Sequence, residues 1–282
     1  MPEARVELDI DVGLGVKLSG EQHGDGASIV LLHGLTATRR YVVMGSRVLE
    51  RAGHRVISYD ARGHGHSDPA PSPDAYTYGL LAKDLRVLLD ELHIERVVLA
   101  GASMGAQTAL RFALDLPERV LALGLITPAF DPDAPSTPEA YVGWDKLADG
   151  LREGGVEGFV DAYELDEIPE HWRETVVKVL RQRLSAHDHP LAVADALQAV
   201  PRSGPFEDWR ELEQIEIPTF VVASRDEADP SHPLAIGERY AATIPGARLF
   251  VEDAGPPTRS PIAWQGGQLS KVLAGLVERV QG

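Results

Sequence analysis

Short runs of apolar, often β-branched residues alternate along this chain with longer segments whose apolar residues recur at helical spacing. The segments 28–32, 55–59 and 96–100 are such short runs. Strands that are apolar throughout are typical of a parallel sheet buried on both faces. The segment 80–92 has the helical spacing. The alternation therefore predicts an α/β fold with a mostly parallel central sheet flanked by helices.

The same pattern predicts the other elements of the sheet layer and one interruption of it. An opening hairpin is expected from 6–12 and 15–21, further strands at 122–126, 218–223 and 247–252, and further helices at 41–52, 104–116, 232–244 and 268–280. Between 131 and 214 the β-branched runs stop and only helical patterns occur, at 144–152, 156–163, 174–184 and 191–200. We therefore expect an inserted helical cap at 131–214 and a core formed by 1–130 and 215–282.

Length and composition fit one folded domain with an insertion. The chain has 282 residues, of which 44% are hydrophobic and 25% charged, close to the average for globular proteins. No apolar run approaches the roughly 20 residues that cross a bilayer, and the first residues lack the basic-then-apolar order of an export signal. We expect a cytoplasmic protein with no membrane partner.

The charge balance excludes several kinds of partner. With 27 basic and 43 acidic residues the formal net charge is -16, which opposes binding to nucleic acid or to anionic membranes. The absence of cysteine excludes thiolate chemistry and Cys-ligated metals. We therefore expect a small-molecule partner and no metal or cofactor; the oligomeric state is left open by the sequence.

A G-x-S-x-G motif occupies 101–105, directly after a predicted strand and before a predicted helix. In that context the serine, Ser103, stands on a sharp turn, and the glycines two residues before and after it let the strand and helix approach closely. The N-terminus of the helix that begins at Met104 directs free N–H groups toward any oxyanion formed beside the serine. The motif predicts that Ser103 is a nucleophile.

Two further motifs complete a family resemblance. His-Gly-Leu at 33–35 follows the third predicted strand, and Asp-Ala-Arg-Gly-His-Gly-His-Ser at 60–67 follows the fourth. With the serine motif they resemble the α/β-hydrolase superfamily, in particular its esterase, lactonase and haloperoxidase-like branch with a helical cap. The resemblance implies an oxyanion hole made by the N–H groups of Leu35 and Met104. His33 and His64 are expected to be structural residues of their loops.

The resemblance also places the acid after the strand that follows the cap and the histidine after the last strand. Asp226 is the first candidate for the acid, because it comes directly off the strand and has Pro230 four residues on; Asp229, with Pro233 at the same spacing, is the second. The loop after the last predicted strand contains no histidine, and none occurs after His232. The usual catalytic histidine of the family is therefore absent.

Other histidines are candidates for the missing base. His232 is the tentative choice, because it shares a loop with both aspartates. The cap contributes His171, His187 and His189, which we expect on its solvated surface. Without any base, a serine with an oxyanion hole retains only part of the catalysis and handles activated esters, strained lactones or thioesters.

Three functions stay open at this point. The first is a serine hydrolase of a small carboxylic ester, lactone or thioester; the second is a non-hydrolytic lyase or cyclase on the same scaffold; the third is a small-molecule binding protein that has lost the catalytic histidine. The cap is expected to set the substrate, with an apolar wall drawn from six aromatic residues. These candidates are Tyr141, Trp144, Phe159, Tyr163, Trp172 and Phe206.

Overall fold

A computed structural model describes residues 5–251 and 266–281 and contains one sheet of eight strands. The predicted strand at 247–252 and helix at 268–280 border the segment 252–265, which lies outside the described residues. The strands are β1 (Val6–Asp11), β2 (Lys17–His23), β3 (Ser28–Leu32), β4 (Arg55–Tyr59), β5 (Val97–Ala102), β6 (Val120–Ile126), β7 (Thr219–Ala223) and β8 (Arg248–Val251).

The strand order is β1-β2-β4-β3-β5-β6-β7-β8, and every pair from β4 to β8 is parallel. The opening hairpin joins the sheet antiparallel, with Val6 opposite Gln22 in β1/β2 and Gly20 opposite Tyr59 in β2/β4. The predicted α/β class with a mostly parallel sheet is confirmed. Parallel strands end at the same edge, so the loops after β3, β5, β6 and β7 meet there.

Helices cover both faces of the sheet and explain the apolar strands. They are α1 (Val48–Arg51), α2 (Tyr78–Glu91), α3 (Met104–Asp115), α4 (Val142–Ala162), α5 (Glu170–Leu184), α6 (Pro190–Ala199), α7 (Leu234–Thr243) and α8 (Gly266–Gln281). Within β3, Val30 and Leu32 belong to the apolar cluster that contains α2 and α3, whereas Ile29 and Leu31 belong to the cluster that contains α8. Both faces are buried, so alternation with polar residues is absent.

The segment between β6 and β7 is helical and packs over the edge where the parallel strands end. Its helices α4, α5 and α6 form a third apolar cluster, which also includes Leu35 and Met104 from the loops after β3 and β5. Between Pro138 and Gln214 the regular elements are all helical, which places them within the boundaries expected for the cap.

The predicted helix at 41–52 is wrong over its first half. Met44 and Gly45 have φ values of 49° and 71°, a left-handed conformation that interrupts a right-handed helix. The chain instead forms a 3-10 turn at Arg39–Tyr41, and α1 begins only at Val48. Within the described residues, no helix is both long and apolar enough to cross a membrane.

We expect Gly105→Ala to lower the free energy of unfolding by about 3 kcal/mol or more, or to prevent folding, because two backbones meet at this residue. A Cβ on Gly105 would lie 2.2 Å from the carbonyl oxygen of Leu32. Gly143→Ala is the matched control, since a Cβ on Gly143 in α4 would meet nothing within 4 Å. Urea unfolding should find the control unchanged or stabilised by up to about 1 kcal/mol. Equal stability of the two variants would contradict the close packing.

Candidate active site

The backbone at Ser103 turns sharply between β5 and α3. Its φ of 50° and ψ of −112° are a conformation that residues other than glycine rarely adopt. The Ser103 N–H donates to the carbonyl of Ile126 at 2.9 Å, and the Ser103 carbonyl accepts from the N–H of Gln107 at 3.1 Å. An added Cβ on Gly101 would lie 2.2 Å from the carbonyl carbon of Gly105. The strained turn is therefore held by close packing and by hydrogen bonds on both sides.

His232 lies against this serine. Its Nε2 is 2.8 Å from Ser103 Oγ, and its Nδ1 is 2.8 and 2.9 Å from the two carboxylate oxygens of Asp229. The carboxylate holds the proton of the ring on Nδ1, which leaves Nε2 as an acceptor for the hydroxyl proton of Ser103. This serine, imidazole and carboxylate have the connectivity of a nucleophile, a general base and an orienting acid.

Two consecutive turns in the loop after β7 bring the imidazole and the carboxylate together. The N–H of Asp229 donates to the carbonyl of Asp226 at 3.2 Å, and the N–H of His232 donates to the carbonyl of Asp229 at 3.3 Å. Each turn brings residues three positions apart next to each other, so His232 lies beside Asp229. The helix α7 begins only at Leu234, so His232 precedes it rather than forming its first turn as the sequence predicts.

The structure corrects the order of preference between the two candidate acids. Oδ1 of Asp226 accepts a hydrogen bond from the N–H of Ala228 at 2.9 Å, so this carboxylate braces the turn of its own loop. The carboxylate in contact with His232 belongs to Asp229, the second choice. Both aspartates have proline four residues on, and that spacing alone does not distinguish them.

The electrostatic surroundings keep Asp229 ionised. Burial raises the pKa of the Asp229 carboxyl, but the hydrogen bond from His232 and the charges of His232 and Arg183 outweigh burial, and the pKa lies below its usual value. A carboxylate that is ionised throughout the neutral range stabilises an imidazolium beside it. The site can therefore accept a proton from Ser103 onto His232.

Both predicted oxyanion donors are close to Ser103 in the chain or in the cavity. Leu35 lines the cavity at the serine, and Met104, the first residue of α3, follows Ser103 directly with its side chain buried. Among the described residues, no protein group accepts a hydrogen bond from the N–H of Leu35 or of Met104. His64 Nε2 lies 2.6 Å from the Leu35 carbonyl and holds that loop in place.

The remaining histidines have other roles. His33 Nε2 accepts from the N–H of Ala61 at 2.9 Å and so joins the loop after β3 to the loop after β4. In the inserted segment, His187 is buried and accepts from the N–H of Gly65 at 2.8 Å, contrary to the expected surface position. His171 packs on Trp172, and His189 is exposed. None of the three histidines of the inserted segment lines the cavity at Ser103.

A cavity of about 280 Å³ opens between the strand ends and the inserted helices, with Ser103, Asp229 and His232 on its wall. Of the six aromatic residues predicted for its wall, Trp144, Phe159 and Tyr163 line it. The other three do not: Phe206 packs in the core below, Tyr141 contacts Arg202, and Trp172 packs among the inserted helices. Within the described ranges no group of three or more His, Asp or Glu side chains could hold a metal ion.

The sequence predictions omit one charged lining residue, Arg183 in the last turn of α5. It follows Val176, Val179 and Leu180 at helical spacing, so it lies on the apolar stripe that faces the cavity. A charged residue on an otherwise apolar helical stripe is the sequence signal that marks Arg183 as a candidate.

Comparison with known proteins identifies the fold family of the chain. Residues 27–257 match the profile of the family described as alpha/beta hydrolase fold. The chain is 34% identical over 248 residues to 2-hydroxy-6-oxononadienedioate/2-hydroxy-6-oxononatrienedioate hydrolase 2 of Pseudomonas putida, with 84% of each chain covered. A thermophilic esterase from Thermogutta terrifontis has a TM-score of 0.76 at 26% identity, covering 99% of this chain and 100% of the esterase. The enol-lactonase from Burkholderia xenovorans LB400 has a TM-score of 0.71 at 24% identity, covering 96% and 99%, and shares the fold.

We expect the stability of the protein to fall as the pH drops below about 6.5, and His187→Gln to remove part of that dependence. Burial, together with the neighbouring His64, lowers the pKa of His187 to about 3. The unfolded chain then binds a proton that the folded protein does not, which costs about 1.4 kcal/mol per pH unit for this ring. Urea unfolding between about pH 5 and 6.5 measures the slope.

Glutamine at 187 keeps an acceptor for the N–H of Gly65. It should reduce the slope of the unfolding free energy against pH by the amount that corresponds to about one bound proton. His189→Gln, two residues further on and exposed, is the matched control and should leave the slope unchanged. The same reduction in both variants would contradict the assignment of the proton to the buried ring.

Proposed function

We propose that this chain, which belongs to the alpha/beta hydrolase fold family, is a serine hydrolase that cleaves a carboxylic ester, lactone or thioester of a small molecule. The observation that carries the proposal is the contact of His232 Nε2 with Ser103 Oγ at 2.8 Å, with Nδ1 held by Asp229. This contact supplies the base that the loop after the last strand does not contain.

In the acylation step Ser103 Oγ attacks the acyl carbon while His232 Nε2 takes its proton. The oxyanion that forms on the carbonyl oxygen accepts hydrogen bonds from the N–H groups of Leu35 and Met104. When the tetrahedral intermediate collapses, the bond from the acyl carbon to the leaving group breaks, and the imidazolium protonates the leaving oxygen or sulfur. The product of this step is an acyl ester on Ser103.

Deacylation repeats these roles with water. His232 takes a proton from a water molecule, whose oxygen attacks the acyl carbon, and the bond between that carbon and Ser103 Oγ then breaks. The proton returns from His232 to Ser103 Oγ, so the enzyme is regenerated and a carboxylic acid is released. Asp229 stays ionised throughout and stabilises the imidazolium in both steps.

The similar proteins support hydrolysis as the reaction class. The Pseudomonas putida relative is named a hydrolase, and the Thermogutta terrifontis structure is titled an esterase. The binding-protein alternative depends on the lack of a catalytic base, and the His232 contact supports a base at Ser103. A lyase or cyclase would use the oxyanion donors without a covalent step at Ser103, which the first test distinguishes.

We expect an organophosphonate to form a covalent adduct on Ser103, detected by intact mass, and a short-chain aryl ester to be hydrolysed. Ser103→Ala should abolish the adduct and lower kcat by about 10³-fold or more, because the nucleophile is lost. Ester turnover that survives in Ser103→Ala would indicate chemistry without a serine nucleophile. Ligand-induced stabilisation without an adduct or turnover would indicate a binding protein.

We expect Asp229→Asn to lower kcat by roughly 10³-fold and Asp226→Asn by less than about tenfold. Asparagine at 229 no longer stabilises the imidazolium, whereas asparagine at 226 still offers an oxygen to the N–H of Ala228. His232→Gln should lower kcat by about 10²- to 10⁴-fold, as expected for loss of a general base. A larger loss in the variant of Asp226 than in that of Asp229 would contradict the proposed triad.

A further inference from the structure

Arg183 is the one arginine or lysine among the described residues that line the cavity. Its guanidinium lies 5.6 Å from the centre of the Tyr41 ring. Its Nε is buried and has no hydrogen-bond partner among the described residues. Among the residues that the structure describes, none forms an ion pair with it.

The two buried arginines of the core and the neighbour of Arg183 on α5 do have acidic partners. Arg39 and Arg62 are buried in the core, and each has an acidic partner, Asp60 at 2.5 Å and Asp84 at 2.6 Å. Arg181, two residues before Arg183 on α5, pairs with Glu157 at 2.6 Å although it is exposed. Arg183 has no such partner within residues 5–251 and 266–281.

A buried guanidinium N–H without a partner costs stability, because arginine stays protonated and that donor loses water. Burial lowers the pKa of Arg183, while the Asp229 carboxylate opposes that change. No ion pair joins Arg183 to the Asp229 carboxylate, whose two oxygens contact His232. A ligand anion that enters the cavity would remove this cost.

We propose that Arg183 binds a carboxylate of the substrate, so that the preferred ester, lactone or thioester carries a second, ionised carboxyl group. This inference rests on the proposed hydrolase function and specifies its substrate class. The planar fork of the guanidinium matches a carboxylate in a bidentate contact. A phosphate dianion fits less well, because Arg183 is the only lining cation of the described residues and Asp226 and Asp229 lie on the same wall.

The test compares two aryl esters of equal length, the 4-nitrophenyl monoester of glutaric acid and its terminal carboxamide analogue. The wild-type enzyme should prefer the carboxylate in kcat/KM by about 10- to 100-fold, the range expected for a charge-assisted contact. Arg183→Gln should bring the ratio close to one, and Arg183→Lys should give an intermediate ratio, since lysine keeps the charge without the fork. Arg181→Gln, on the same helix and outside the cavity, should keep the wild-type ratio.

Two results of this comparison would overturn the proposal. One is a wild-type ratio close to one. The other is a ratio that Arg183→Gln leaves unchanged; if turnover of both esters then falls equally, Arg183 acts through Asp229 and positions the triad.

A second measurement needs no variant and separates the two kinds of anion. Glutarate should slow phosphonate labelling of wild-type Ser103, and inorganic phosphate at the same concentration should not. Equal protection by phosphate would overturn the assignment to a carboxylate.

Failure of the proposed function is recognised separately, because Ser103 would then take up no phosphonate at all. In that case Tm still decides whether Arg183 binds a carboxylate. Glutarate should raise the Tm of the wild-type protein and should not raise that of Arg183→Gln.

Discussion

The close approach of β5 to α3 is the constraint on which the site depends. Gly101 and Gly105 have no side chains to separate the strand from the helix, and Gly105 also lies against the backbone of Leu32 in β3. The chain between them can turn only by forcing Ser103 to a positive φ. The strain at one residue is compensated by packing at its neighbours, and its result is a hydroxyl exposed at the edge where the parallel strands end.

The charged and titratable groups nearest to the Ser103 hydroxyl belong to His232 and Asp229. Asp229 is ionised and bound to His232, whereas His33, His64 and His187 are buried, and burial lowers the pKa of each. These three rings hold backbone groups of the loops around Leu35 and Gly65. Histidine rings thus position the oxyanion loop, and Arg183 is the one arginine or lysine among the described residues that line the cavity.

The sequence predicts those features that depend on local patterns. The sheet, the serine turn and the loops at 33–35 and 60–67 follow from apolar runs and short motifs. The helix at 41–52 fails because the left-handed pair at Met44 and Gly45 has no apolar signature. The preference for Asp226 over Asp229 as the acid fails for a related reason. Each aspartate has a proline four residues on, and the two cannot be distinguished until the turns of the loop are known. Arg183 is missed because the sequence shows its place on an apolar stripe of α5, but the packing of α5 is needed to show that this stripe faces a cavity.

The order of the strands explains how a histidine from the loop after β7 can serve a serine on the loop after β5. In the sheet, β6 alone separates β5 from β7, whereas β8 lies one strand further away. Neighbouring strands are about 4.8 Å apart, so the end of β7 is the closer of the two to Ser103. An imidazole three residues after the acid needs only the two turns of this loop to reach the hydroxyl while its Nδ1 stays on the carboxylate. In the proposed mechanism, base and acid therefore move as one unit, and any change in the length of this loop would displace both together.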